Sequence, residues 1–154
     1  MTVFLIRHAL AGNRDEWEEA DDIRPLSKKG QRQAERIAEL LAHRGIERIV
    51  SSPSLRCVQS VQPLADRLDL EVETSESLAE GVDADDVVAL FRSVRPATTA
   101  LCTHGDVIPT LLDALVERDG LALPRDYPCA KGSSWECEQD DSGRAVSAMY
   151  LPAP

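Results

Sequence analysis

Apolar positions along the chain fall into short blocks whose period switches between that of a strand and that of a helix. Thr2 to Arg7 (TVFLIR) is an unbroken run of β-branched, aromatic and aliphatic residues ending in polar ones, which predicts a buried strand. From Lys28, with Ser27 as a capping residue, Ala34, Ile37, Ala38 and Leu41 fall at i, i+3, i+4 and i+7, the single stripe of an amphipathic helix, and Gly45 suits its C-terminal stop. Ile46 to Val50 predicts a second strand ending at Ser51-Ser52-Pro53. A helix over roughly Ser54 to Leu68 follows, with Pro63 expected to kink or break it.

Leu70 to Glu73 predicts a short third strand. Asp83 can cap a helix to about Val94, and Ala97 to Thr103 is an apolar strand. His104-Gly105-Asp106 then opens a helix to about Arg118. Ser133 to Glu138 and Ala145 to Leu151 read as two strands around the turn Asp140-Asp141-Ser142-Gly143. Strands that alternate with helices predict an α/β fold, a three-layer sandwich with a mostly parallel central sheet covered on both faces, and the last pair can add an antiparallel edge. Residues 8–26 and 74–82 lack periodicity and read as loops. The first is long for a compact domain, which points to function.

The chain has 154 residues, so the expectation is one domain over 1–154. Composition adds a charge argument. With 17 Lys+Arg against 27 Asp+Glu the formal net charge is −10, which disfavours a broad nucleic-acid or anionic-membrane surface. A small anionic ligand then needs a local cationic pocket. Val3 to Ile6 is too short for a signal-peptide core and no apolar run approaches the roughly 20 residues of a membrane span, so the expected compartment is the cytoplasm. Cys57, Cys102, Cys129 and Cys137 have no C-x-x-C spacing and are expected as reduced, partly buried thiols. A Cys129–Cys137 disulfide is compatible with the sequence but unsupported by it. No metal or cofactor is expected.

In an open parallel sheet, ligands bind beyond the carboxyl ends of the strands. Arg7 and His8 follow the first strand, and Ser51, Ser52, Pro53 and Arg56 the second. Glu76 and Glu80 follow the third, and Thr103, His104, Gly105 and Asp106 the fourth. Two arginines and two histidines thus converge on one edge beside a choice of carboxylates. Guanidinium forks match phosphate oxygens, and a helix N-terminus after His104 adds positive potential. Each residue alone has a plain structural explanation, and only the constellation points to phosphate chemistry. His43 is read as a structural residue near a helix C-terminus.

These motifs resemble the histidine phosphatase superfamily, whose fold is phosphoglycerate mutase-like. Arg7-His8-Ala9 is similar to the family's Arg-His-Gly, with Ala in place of Gly. Ser51-Ser52-Pro53-Ser54-Leu55-Arg56-Cys57-Val58-Gln59-Ser60 is similar to its second block, Leu78-Ala79-Glu80 to its acid-bearing segment, and Thr103-His104-Gly105 to its third. Asp22-Ile23-Arg24-Pro25-Leu26-Ser27 resembles the small branch, which includes phosphohistidine phosphatases. Lys131-Gly132-Ser133-Ser134-Trp135 resembles a segment of domains fused to Nudix hydrolases.

The resemblance implies a metal-independent phosphatase acting on a phosphohistidine protein or a small phosphomonoester. It implies His8 as nucleophile, Arg7, Arg56 and His104 as holders of the phosphoryl oxygens, and Glu80 as general acid, with Glu76 and Asp106 as rivals. Arg14, Arg24, Lys131 and Gly105 are candidates for contacting the rest of the substrate. Salt bridges beside the acidic run are an equal reading of Arg14, Arg24 and Lys131. Two other functions remain open: a non-catalytic module that binds a phosphorylated ligand, and a regulatory partner of a Nudix hydrolase. The sequence carries no sign of oligomeric state.

Overall fold

The computed structural model describes residues 1–124 and 126–154. Six strands form one sheet: β1 (Thr2–Arg7), β2 (Arg48–Ser51), β3 (Val72–Thr74), β4 (Thr99–Thr103), β5 (Ser134–Gln139) and β6 (Ala145–Leu151). Their order is β3-β2-β4-β1-β5-β6. The first four positions run parallel, whereas β5 pairs antiparallel with β1 and β6 with β5. The helices are α1 (Lys28–Leu41), α2 (Leu55–Leu68), α3 (Ala84–Ser93) and α4 (Val107–Asp119).

The strand period divides the core between two faces. Val3 and Leu5 of β1 pack with Leu101 of β4, Phe91 of α3 and Leu112 of α4. The alternate residues Phe4 and Ile6 pack with Ala100 of β4, Ile37 of α1 and Leu64 of α2. Helices therefore cover both faces, and the three-layer expectation holds.

Three local expectations change. Helix α2 continues through Pro63 instead of breaking there. Helix α1 ends at Leu41 with Ala42 as its cap, and Gly45 turns the chain three residues later at φ +74°. The loops at 8–26 and 74–82 hold three single 3-10 turns, at Arg14–Glu16, Asp21–Ile23 and Glu76–Leu78. All four cysteines are free, which removes the Cys129–Cys137 disulfide. No described helix is long and apolar enough to cross a membrane.

Candidate active site

Register places the two histidines side by side. Arg7 lies opposite Thr103 in the parallel β1–β4 ladder, so His8 and His104 are the next residues along adjacent strands. The His8 backbone N–H donates to Thr103 O at 3.0 Å, and the two rings stand 5.5 Å apart, edge to face. Ser51 lies opposite Cys102, and Ser52 N donates to Cys102 O at 2.9 Å, which extends β2 toward the same point. One turn on, α2 delivers Arg56 and Cys57.

His8 is 6% exposed. Its Nδ1 is 2.8 Å from Ala9 O, and a carbonyl only accepts, so Nδ1 carries the proton. Burial chiefly lowers the His8 pKa. The Ala9 hydrogen bond opposes this, the charges of Arg56, His104 and Arg7 reinforce it, and the result is about 3. The ring is therefore neutral at neutral pH and Nε2 keeps its lone pair. Ala9 is itself fully buried in the α1/α2 core, and its N–H donates to Ser60 Oγ at 2.8 Å. Its backbone does not adopt the left-handed conformation, so a methyl group is tolerated where the family's pattern has glycine.

Arg7 donates from Nη1 to Cys129 O at 2.6 Å, while its buried Nε has no partner. Gly105 lies flat against this guanidinium: a Cβ there would come within 2.6 Å of Arg7 Cζ. Arg56 is 1% exposed and carries two carboxylates. Its Nη1 donates to Asp21 O at 2.8 Å, and its Nη2 to Asp21 Oδ2 at 3.0 Å and to Glu80 Oε1 at 2.9 Å.

Glu80 Oε1 also receives Arg14 Nη2 at 3.1 Å and lies 3.5 Å from His104 Nδ1. Two contacts hold this segment over the site: Thr103 Oγ1 donates to Leu78 O at 2.6 Å, and Gly81 N donates to Asp106 Oδ2 at 2.8 Å. Of the candidate acids, then, Glu80 meets Arg56 and His104, Asp106 anchors the Glu80 segment, and Glu76 is exposed and outside the cleft lining.

The cleft has a volume of about 910 Å³. Its cationic lining is Arg7, Arg14, Arg24 and Lys131, and His8 and Glu80 line it too. Lys131 has its pKa lowered by burial and by Arg7, Arg24, Arg14 and Arg56, in that order. Arg14 and Arg24 also form the salt bridges foreseen for them. Arg14 Nε lies 3.3 Å and Arg24 Nε 3.1 Å from Asp21 Oδ1. Burial pushes the Asp21 carboxyl up, but Arg24, Arg56 and Arg14 outweigh it and hold it below the usual range.

Two residues were not singled out from sequence. Asp21 is one member of the acidic run, and its i,i+3 spacing to Arg24 is the sequence signal of their ion pair. Ser52 was only one of several residues after the second strand. Its Oγ lies 2.8 Å from His104 Nε2.

The family model for the histidine phosphatase superfamily (branch 1) matches residues 3–86. The chain belongs to this superfamily. An 8-oxo-(d)GTP phosphatase of Mycolicibacterium smegmatis shares 34% identity over 158 aligned positions, covering 99% of this chain and 48% of that protein. The chain thus spans about half the length of that relative. Among solved structures, the protein histidine phosphatase SixA with tungstate matches at TM-score 0.79 and 23% identity, over 98% of this chain and 94% of that one. A mycobacterial glucosyl-3-phosphoglycerate phosphatase with VO3 matches at TM-score 0.71 and 18% identity, over 97% and 96%. At these identities the structural likeness establishes the shared histidine phosphatase fold. The expected membership of this superfamily agrees with the family model and with the mycobacterial relative, and the expected fold with the solved structures.

Proposed function

We propose that this histidine phosphatase hydrolyses phosphorylated compounds without a metal, through a phosphohistidine formed on His8. The observation that carries the reading is the state of His8: neutral, its proton fixed on Nδ1 by Ala9 O, and its Nε2 lone pair free in a cationic cleft. Arg7, Arg56 and His104 bind the three equatorial oxygens and stabilise charge as the bond breaks. In the free protein Glu80 Oε1 sits on Arg56 and His104, so it marks the seat of a phosphoryl oxygen.

A phosphoryl group bound as its monoanion displaces this carboxylate toward the leaving group and passes its proton to it. Nε2 then forms the new N–P bond, the bond from phosphorus to the leaving oxygen of an ester or the leaving ring nitrogen of a phosphohistidine breaks, and Glu80 gives that proton to the departing atom. In the second step Glu80 takes a proton from water, whose oxygen attacks phosphorus. The N–P bond breaks, and phosphate and neutral His8 are restored. Arg14, Arg24 and Lys131 contact the rest of the substrate, and Gly105 keeps the Arg7 guanidinium seated.

Two substrate classes are in play, a phosphohistidine protein and a small phosphate ester. The names of the SixA and 8-oxo-(d)GTP phosphatase relatives support one each. Wild type and His8→Ala are to be assayed with EDTA on p-nitrophenyl phosphate, a phosphohistidine peptide and an 8-oxoguanine nucleotide. Turnover by wild type alone is the expected result, and the ratio of rates assigns the class. Clear residual activity in folded His8→Ala removes His8 as nucleophile. No turnover, with phosphate still raising the Tm, assigns instead a non-catalytic binding module or a regulatory partner of a Nudix hydrolase.

A further inference from the structure

We infer that Ser52 is a positioning residue that fixes the ring tautomer of His104, so that His104 offers its Nδ1–H to the transferring phosphoryl group. The inference rests on the proposed phosphatase reading for its consequence, but not for its geometry. Ser52 is fully buried, at 0% exposure. Its hydroxyl lies at His104 Nε2, the ring nitrogen on the side away from Glu80. The row Ser52–His104–Glu80 has the order of a nucleophile triad, but its serine end is closed off inside the protein.

Proton accounting decides the tautomer. Ser52 Oγ accepts the N–H of Ser54 at 3.3 Å and lies 2.8 Å from His104 Nε2. A hydroxyl has one proton to give. If Nε2 carried a hydrogen, Oγ would accept from both neighbours and its own proton would be stranded in a buried place. That costs about 1–3 kcal/mol. If Nε2 is bare, Ser52 donates to it and every group is satisfied. Cys57 Sγ also lies near this side of the ring, 3.6 Å from Nε2 and 3.7 Å from Thr103 O.

The opposite side of the ring gives the same answer. His104 Nδ1 faces Glu80 Oε1 at 3.5 Å, and a carboxylate oxygen accepts. With a single ring proton, His104 is therefore held with that proton on the Glu80 side. When a phosphoryl oxygen takes the seat now held by Glu80 Oε1, the Nδ1–H donates to it. The two histidines are thus set for opposite tasks by buried partners. His8 is fixed by Ala9 O with its lone pair toward substrate, and His104 by Ser52 Oγ with its proton toward substrate.

The test uses wild type, Ser52→Ala and Ser52→Thr labelled with 15N at histidine. Long-range proton–nitrogen spectra are recorded at mildly alkaline pH, beside steady-state kinetics on p-nitrophenyl phosphate. Wild type and Ser52→Thr are expected to show the Nδ1–H pattern for His104. Ser52→Ala is expected to lose it, with kcat reduced by up to about a hundredfold, at or below the low end of the roughly 10²–10³-fold for a transition-state donor removed outright, and KM changed much less. A wild-type His104 in the Nε2–H form overturns the inference. So does Ser52→Ala in which the tautomer and kcat fail to change together. If Ser52→Ala does not fold, the wild-type spectrum and the Ser52→Thr pair still decide. The spectrum needs no turnover, so an inactive wild type with Nδ1–H His104 overturns the phosphatase reading and leaves the tautomer assignment standing.

Discussion

The His8 side chain is bound to the stability of the fold through its proton. Its pKa falls from 6.5 to about 3 on folding, so between those values the unfolded ring is protonated and the folded ring is not. The unfolded state then binds more protons, and stability decreases as pH falls through this window. The full effect is on the order of 5 kcal/mol. Urea midpoints of wild type should drop from about pH 6.5 to pH 3 more steeply than those of His8→Asn, and parallel curves for the two would show that the ring is not held neutral. Glu80 carries a second residue-scale expectation. Glu80→Gln should slow release of alkyl alcohols by about 10²–10⁴-fold and barely affect p-nitrophenol, which leaves without a proton. Equal losses on both substrates would remove it as the acid. Arg7, His8, Arg56 and His104 were legible because Arg7 ends a strand and the others come shortly after one. Asp21 and Ser52 were not, because what distinguishes them is a partner far away in sequence: Arg56 lies 35 residues from Asp21, and His104 lies 52 from Ser52.

Elements were legible where their ends are set by local chemistry. Strands β1 and β6 match the hydrophobic pattern residue for residue, and Ser27 and Asp83 cap their helices through side-chain bonds to Gly30 N and Asp86 N. The parallel strands β2 and β4 begin later than their apolar runs. Ile46 is buried, yet the ladder starts at Arg48, because burial extends beyond the point where two strands pair. Pro63 misled for a related reason: a helix held on both sides of the proline by core residues such as Val61 and Leu64 continues despite one missing donor. The packing of α1 against the loop after β1 was invisible in sequence. A Cβ on Gly30 would stand 1.8 Å from Leu10 O, so α1 touches that backbone directly. Gly30→Ala should therefore destabilise by about 1–3 kcal/mol, despite alanine's better helix propensity. It should also impair turnover, since Leu10 lies two residues from His8. A rise in Tm for this variant would show that α1 and the loop are not in contact.

At the scale of the whole molecule, a net charge of −10 surrounds a cleft lined by Arg7, Arg14, Arg24 and Lys131. The two fields act at different ranges. An approaching anion first meets the global repulsion and feels the cleft only at short distance. Salt separates the two. The Debye length shrinks from about 30 Å at 0.01 M to about 8 Å at 0.15 M, which removes most of the long-range repulsion, while partly buried contacts such as those around Arg56 are screened much less. With a non-competing salt such as sodium chloride, kcat/KM for a small phosphate ester should therefore rise over this range, the reverse of the usual behaviour of a basic phosphate-binding surface. The rise should be larger for a substrate with more negative charge, since repulsion scales with it. A steady fall would mean that the cleft's own field dominates encounter, and that the acidic loop at 15–22, where most of the nearby negative charge lies, is neutralised by its arginine partners before substrate arrives. The sequence showed the imbalance of charge, but only the fold puts that loop and the cationic cleft at the same edge of the sheet.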